Sequence, residues 1–230
     1  MAKDDEFTAS PLPTVAAVAT VQLKRDIVSG IFAPEHRLRM RELEERYGLG
    51  ATPLREALVG LAAAGLIVAE GQKGFRVPPI SKEDLIDITS TRQLLECEAF
   101  RQSLAHGGAA WEDEVVTSFH LLRRELERQD PRSAIWLDTY EARHHRFHRS
   151  LIAACPLATL RGYCDSLYDR MTRYRRVLRA FGKSASVSIA AHQSLMDLAL
   201  TRDSEPAVDA LRSHVAATSR AVLKLLQTLP

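Results

Sequence analysis

The chain has 230 residues, a formal net charge of +2 and 46% hydrophobic residues, and these values exclude several classes of protein. The length is too great for one small module and suits two domains. Three cysteines, an odd number, fit neither a disulfide framework nor a thiolate metal cluster. No run approaches the roughly 20 apolar residues of a membrane span and the acidic start does not resemble a signal peptide, so the sequence predicts a cytoplasmic protein.

The N-terminal third offers little evidence from charge alone. Residues 1–12 are short, polar and proline-containing, and we expect them to form a disordered start. Between Phe7 and Val77 there are nine lysines and arginines against seven aspartates and glutamates. A nucleic-acid-binding role for this region therefore depends on its motifs and hardly on its net charge.

Residues 13–78 carry the pattern of a winged helix-turn-helix. Four residues give a first short helix one apolar face: Leu38, Leu43, Tyr47 and Leu49. Gly48 is suited to end that helix, and Pro53 favours the start of a second one. On this second helix three leucines recur at helical spacing and leave Thr52, Arg55, Glu56 and Val59 on the open side. This arrangement is typical of a recognition helix.

Two short strands, 66–70 and 75–77, are predicted to follow, joined by the glycine-bounded turn 71–74 that forms the wing. The residues expected to contact DNA come from the segment before the first helix, the start of the second helix and the wing. They are Arg37, Arg41, Gly50, Thr52, Pro53, Arg55, Gln72 and Lys73. Each has an ordinary alternative, since Thr52 can cap its helix and Arg55 can pair with Glu56.

The sequence 52–58, Thr-Pro-Leu-Arg-Glu-Ala-Leu, together with Arg41-Glu42-Leu43 and Gly74-Phe75-Arg76-Val77, resembles the N-terminal domain of GntR-family regulators. The resemblance implies a homodimer that binds a short inverted repeat of double-stranded DNA. It also implies that Arg41, Arg55 and the wing near Gln72 contact that DNA. Family members often carry Ser or Thr followed by Arg before the Thr-Pro pair, whereas this chain has Gly50-Ala51.

The prolines at 78 and 79 mark a boundary, because adjacent prolines stop a strand and do not fit a helix interior. Residues 79–230 are predicted to form an all-helical effector-binding and dimerisation domain whose first helix is capped by Ser81. Apolar stripes run through six segments: 81–106, 111–129, 132–154, 157–181, 185–202 and 204–228.

Charged residues interrupt the inward stripes of two of these segments. Arg92 occupies a core position in the first, where its partner is either Glu96, as a structural ion pair, or the carboxylate of a ligand. In the fourth segment Tyr174 lies on the stripe and Arg175 lies beside it. Arg92, Tyr174 and Arg175 are therefore the predicted effector contacts.

Four histidines also occupy inward stripes. His144 and His148 are spaced i and i+4 on the third segment, a spacing that can chelate a metal. His192 and His214 lie on the inward faces of the fifth and sixth segments. One histidine on an apolar face is usually a core residue, but four that converge predict a metal site.

The pattern of Arg92 with Glu96, Phe147-His148, His192 and His214 also resembles the helical FCD-type ligand domain of the FadR-like branch of these regulators. That resemblance implies a divalent metal held by an acidic residue and three histidines, and here His144 occupies the acidic position. An all-imidazole set favours zinc or nickel. Open coordination positions would admit a small carboxylate effector. The runs 145–155 and 173–175 also resemble the carbon-starvation-induced regulators, which implies a dicarboxylate such as glutarate.

The sequence thus predicts a mainly α protein, with an N-terminal winged helix-turn-helix and a C-terminal helical bundle that binds a ligand. The function it favours is that of an effector-controlled transcriptional repressor. Two alternatives remain. One is a metal-dependent hydrolase, since histidine-bound metal can activate water. The other is an effector-independent DNA-binding protein whose histidines only pack the core.

Overall fold

A computed structural model of the chain describes residues 13–128, 133–180 and 188–227; for Gln72 and residues 177–180 it describes only the backbone. The predicted disordered start, 1–12, lies outside these residues. The described residues fall into two compact units. The first comprises 13–27 and 31–78, and the second takes in 28–30 and the described residues from 79 onward.

The first unit is a three-helix domain with a small antiparallel sheet. Its elements are α1 (Val15–Val28), β1 (Arg37–Leu38), α2 (Met40–Tyr47), α3 (Ala51–Ala63), β2 (Val68–Ala69), a single 3₁₀ turn (Gly71–Lys73) and β3 (Phe75–Arg76). The strand order is β1-β3-β2, with Leu38 opposite Phe75 and Val68 opposite Arg76. The winged helix-turn-helix is therefore confirmed, with one more strand and shorter strands than the sequence predicted.

The two helices of the motif begin and end for identifiable reasons. Gly48 ends α2 with φ of 64°, a left-handed conformation that glycine adopts without steric cost. The structure corrects one sequence-based expectation: Leu38 lies in β1 and Leu49 follows α2, so neither is on the face of that helix. It also excludes the alternative that Thr52 caps α3, because the N-cap is Gly50 and Thr52 lies inside the first turn.

A fully buried carboxylate, Asp26, joins α1 to α2 and was not anticipated from the sequence. It accepts hydrogen bonds from Arg46 Nε and Tyr47 Oη, both at 2.9 Å, and from Arg25 Nε at 3.0 Å. Burial by itself would raise the pKa of Asp26, but these donors outweigh it and hold the pKa below its ordinary value. The charged form of Asp26 therefore stabilises the folded state.

Replacing Asp26 with alanine is expected to destabilise the first unit by about 3 kcal/mol, because three donors lose a buried acceptor. Because the pKa of Asp26 is lower in the folded than in the unfolded state, its charge stabilises the folded state at pH values above the unfolded pKa of about 3.9. This stabilisation is lost as the pH falls through the folded pKa. The difference in free energy of unfolding between wild type and Asp26→Ala should thus be complete at pH 7 and shrink below about pH 4. Hydrogen exchange of the α1 amides in urea measures this free energy. The control is Glu56→Ala, which removes an exposed carboxylate. Equal losses of stability in the two variants would contradict the stabilising role of Asp26.

Within its described residues, the second unit is all helical. Its helices are α4 (Lys82–His106), α5 (Ala109–Arg128), α6 (Ala134–Leu151), α7 (Ala158–Ala180), α8 (Ile189–Thr201) and α9 (Ser204–Leu226). Ser81 caps α4 as predicted, accepting from the amide of Asp84 at 3.1 Å. Helix α4 packs against α7 and α9, while α5 packs against α6 and α8. Among the described residues, no helix is both long and apolar enough to cross a membrane.

Two groups of buried apolar residues stabilise this bundle. The larger is built from all six helices and contains Phe100, Phe119, Phe147 and Leu211. The smaller lies between α4, α7 and α9 and contains Leu85, Met171 and Tyr174. Burial of such side chains is the main favourable contribution to folding, and it orients the polar residues that share their helical faces.

Candidate metal and effector site

Four histidine side chains from three helices meet inside the helical bundle. His144 and His148 lie one turn apart on α6, with ring centroids 4.6 Å apart. The ring centroid of His192 on α8 lies 5.1 Å from that of His144, and the ring centroid of His214 on α9 lies 4.6 Å from that of His192. One ligand atom from each of the four lies within 4.8 Å of the others. The structure therefore brings together the four histidines that the inward stripes had singled out.

Burial keeps these imidazoles neutral. His144, His148 and His192 are buried and His214 is partly buried. Burial, and then the neighbouring cations and rings, lower the pKa of His144 and of His148 well below 6.5. Burial also lowers the pKa of His192 to about 4 and that of His214 to about 3. Each of the four rings is therefore neutral at pH 7 and has one unprotonated nitrogen.

Several ring nitrogens at this site have no hydrogen-bond partner within the described residues. Both nitrogens of His148 and Nε2 of His214 are buried and lack one. Burying a polar atom without a partner is unfavourable, so such atoms are uncommon in a simple core. The donor set, four neutral imidazoles without a carboxylate, fits zinc or nickel better than magnesium or calcium.

The geometry of the nitrogens also allows an ion to bind. An ion bound at about 2.1 Å, with further coordination positions left open for an effector, requires neighbouring ligand atoms about 3 Å apart. Since the ligand atoms lie within 4.8 Å of one another, small rotations of the side chains would suffice. His144 Nε2 and His192 Nε2 already lie 3.1 Å apart.

Two buried arginines flank the histidines, and each is paired with a glutamate. Arg92 Nε donates to Glu96 at 2.6 Å, which is the ion pair that the sequence offered as one alternative. Arg175 Nη2 donates to Glu141 at 2.7 Å. These guanidinium groups lie 5.7 Å and 5.2 Å from the centre of the Tyr168 ring. Both arginines are thus close to the site, and both are charge-compensated by the protein.

Sequence reasoning missed Tyr168 and Glu141, although a signal for each was present. Tyr168 is buried, and its hydroxyl contacts His144 Nδ1. It precedes Arg175 by seven residues and Glu141 precedes His148 by seven, a spacing that puts each pair on one helical face. Polar residues that share a face with proposed ligands are the natural candidates for supporting them.

The predicted effector contact Tyr174 lies elsewhere in the same unit. Its hydroxyl donates to Asp84 at 2.6 Å and accepts from the Ser81 amide at 3.3 Å. Tyr174 therefore ties α7 to the start of α4. A tyrosine on an apolar stripe indicates burial, but not which polar group its hydroxyl meets.

The residues predicted to contact DNA are mostly on the surface of the first unit. On α3, Thr52 and Arg55 are exposed and Leu54, Leu58 and Leu61 are buried, so the predicted faces of this helix are confirmed. Exposed residues also include Arg37 on β1, Arg41 on α2, Gly50 before α3 and Lys73 in the wing, while Pro53 is half-buried. Arg41 pairs with Glu45 at 2.9 Å, and the side chain of Gln72 lies outside the described part of the chain.

Two protein-family descriptions match the chain. One, bacterial regulatory proteins of the gntR family, matches residues 11–77, and the other, the FCD domain, matches residues 87–217. The chain belongs to the GntR family. It is a transcriptional regulator with an N-terminal helix-turn-helix domain and a helical FCD domain, and it is not an enzyme. The alternative of a metal-dependent hydrolase is therefore not supported.

Relatives within the GntR family align with almost the whole chain. The chain is 37% identical over 222 residues to the HTH-type transcriptional regulator BphR of Paraburkholderia xenovorans (strain LB400), covering 94% of this chain and 90% of BphR. It is 38% identical over 197 residues to the HTH-type transcriptional repressor GlaR of Escherichia coli (strain K12), covering 84% and 89%. The solved structure of E. coli McbR/YncC shares the fold, with a TM-score of 0.76 at 21% identity over 94% of this chain and 99% of that one.

Proposed function

We propose that this GntR-family regulator is a dimeric repressor controlled by a small dicarboxylate, which binds at a zinc or nickel ion held by His144, His148, His192 and His214. The convergence of four neutral histidines in the FCD domain, three of them buried and one partly buried, carries the proposal. Core histidines usually have hydrogen-bond partners, whereas the nitrogens of His148 do not among the described residues.

The charge of the site favours a doubly charged effector. The four ligands are neutral, and the two nearby glutamates are already paired with Arg92 and Arg175. A divalent ion would therefore bring two uncompensated positive charges into a buried site, which is costly. A dicarboxylate supplies two negative charges, whereas a monocarboxylate leaves one positive charge. This agrees with the resemblance to regulators for which glutarate is the implied effector.

Arg92 and Arg175 are the residues proposed to bind the effector carboxylates. Arginine binds carboxylates through two parallel hydrogen bonds, and each of these arginines already binds a glutamate in this way or nearly so. An effector that takes the place of Glu96 or Glu141 changes a contact on α4 or α6. A ligand that binds one of two conformations more tightly shifts the population towards that conformation. We propose that the effector regulates the affinity for the operator through such a shift.

DNA binding is proposed to use Arg37, Arg41, Gly50, Thr52, Pro53, Arg55, Gln72 and Lys73. The exposed start of α3 is suited to the major groove, and the cations around it are suited to phosphates. Binding of two copies to an inverted repeat is proposed because members of the family usually act as dimers. Repression is proposed because the relative GlaR is named a repressor.

Substituting Arg55 by alanine is expected to weaken operator binding about tenfold at fixed salt, because Arg55 is exposed on the outward face of the recognition helix. Fluorescence anisotropy can measure this with duplexes that the wild-type protein selects from a random pool. The exposed Arg220→Ala on α9 is the matched control for loss of one cation. Equal affinities of the two variants would remove Arg55 from the proposed contacts.

The proposed effector is tested with the same DNA duplexes and zinc-loaded protein. We expect glutarate to release the duplex and butyrate, of similar length with one carboxylate, to be much weaker. If glutarate and its neighbours in chain length have no effect and the protein binds no metal, the histidines are core residues and the protein is an effector-independent regulator. If metal binds but no dicarboxylate acts, only the effector class is wrong.

A further inference from the structure

A continuous chain of hydrogen bonds runs through the histidine cluster. His192 Nδ1 lies 2.8 Å from the carbonyl oxygen of Ser188, and His192 Nε2 lies 3.1 Å from His144 Nε2. His144 Nδ1 contacts the hydroxyl of Tyr168, which in turn lies 3.3 Å from Arg175 Nη2. This series of hydrogen bonds begins at the carbonyl oxygen of Ser188, which can only accept, and ends at the guanidinium group of Arg175, which can only donate.

These two ends determine every proton between them. The Ser188 carbonyl accepts, so His192 Nδ1 carries the proton of that neutral ring, and its Nε2 is an acceptor. His144 must then donate from Nε2, which leaves its Nδ1 as an acceptor for the Tyr168 hydroxyl. Arg175 donates to the Tyr168 oxygen. Each contact then has one donor and one acceptor.

In this assignment His144 Nε2 carries a proton, and a protonated nitrogen cannot bind a metal. Binding requires the other tautomer, with the proton on Nδ1. We propose that Tyr168 is the positioning residue that makes this exchange possible, donating to His144 Nδ1 without metal and accepting from Nδ1–H when metal binds. The inference rests on the proposed metal site. Protons are conserved: His144 loses one at Nε2 and gains one at Nδ1, and Tyr168 keeps its own by rotating its O–H bond.

The surroundings of Tyr168 suit this role. Its ring stacks on that of His145, with centroids 4.3 Å apart and planes 15° apart, so the oxygen is held in place while the O–H bond can turn. Tyr168 is buried, which limits competition from water for His144 Nδ1. Because Arg175 donates to the same oxygen and also binds Glu141, the exchange alters the environment of an arginine proposed for the effector. Metal binding would thereby prepare the effector site.

Nitrogen-15 NMR of histidine-labelled full-length protein tests the proposal directly, because the two neutral tautomers have different ring-nitrogen shifts. His144 is assigned by comparison with His144→Gln. We expect Nε2–H without metal and Nδ1–H after one equivalent of zinc. The same tautomer in both states would overturn the proposal. This measurement needs no Tyr168 variant, so it stands even if such a variant fails to fold.

Tyr168→Phe supplies the second test, with the exposed Tyr163→Phe on the same helix as control. Competition with a chelator should show zinc affinity about tenfold weaker for Tyr168→Phe, in the range typical of lost outer hydrogen bonds to a ligand, and unchanged for Tyr163→Phe. Unchanged zinc affinity in Tyr168→Phe would overturn the proposal. Failure of wild type to bind zinc would instead remove the metal site itself, and with it this role.

Discussion

Replacing His148 and His214 with alanine in one variant is expected to remove bound zinc or nickel from the purified protein. Among the described residues, both ring nitrogens of His148 and Nε2 of His214 are buried without a partner, and each residue supplies one of the four ligand atoms. Two remaining imidazoles would hold a metal far more weakly, by a factor on the order of 100 or more, since losing even an outer-shell partner costs 10–100-fold. Metal content by mass spectrometry, after incubation with zinc, measures the effect.

The control is His106→Ala, which removes an exposed histidine at the end of α4. It should retain nearly stoichiometric metal. Equal metal content in the double variant and the control would show that the four histidines do not form the site. The double variant also fills less space in the bundle, so its circular dichroism spectrum is compared with that of wild type before the metal contents are compared.

Replacing His144 with aspartate is expected to change which effector the regulator prefers. The substitution adds one negative charge to a ligand set that has none, so one of the two charges of a divalent ion is compensated by the protein. A monocarboxylate then suffices to neutralise the site, and a dicarboxylate leaves a surplus negative charge that is costly when buried. The preference for glutarate over butyrate should fall by at least about tenfold, or about 1.4 kcal/mol.

Operator release at increasing concentrations of each acid measures this preference in zinc-loaded protein. The matched control is His144→Asn, which has the shape of aspartate without the charge. It should weaken both responses without exchanging their order. If aspartate and asparagine variants show the same ratio, then charge balance does not select the effector, and Arg92 and Arg175 would have to account for the selection.

Much of the helical domain could be predicted from periodicity. The i, i+4 spacing of His144 and His148 places them on one face of α6, and the apolar neighbours of His192 and His214 place both inward. Because the bundle is small, four histidines that point into it are expected to lie close together. The pairing of Arg92 with Glu96 is also local, because residues four apart on a helix are in reach.

Contacts between distant segments could not be predicted in the same way. The closure of α1 on α2 through Asp26, and the pairing of Arg175 with Glu141, join residues that no helical repeat relates. Likewise the hydroxyl of Tyr174 meets Asp84 at the start of α4, where the sequence had suggested an effector contact. Strand β1 was missed because two residues are too short for any periodic signal.

The sequence by itself determined the family, the two kinds of domain, the recognition helix and the set of inward histidines, since these depend on local motifs and on the face of a helix that each residue occupies. Only the tertiary structure decided which inward faces meet. It placed Tyr168 against His144 and paired Arg175 with Glu141. The physical reason is that periodicity specifies direction about a helix axis, whereas the packing of α4, α6, α7, α8 and α9 specifies what lies in that direction.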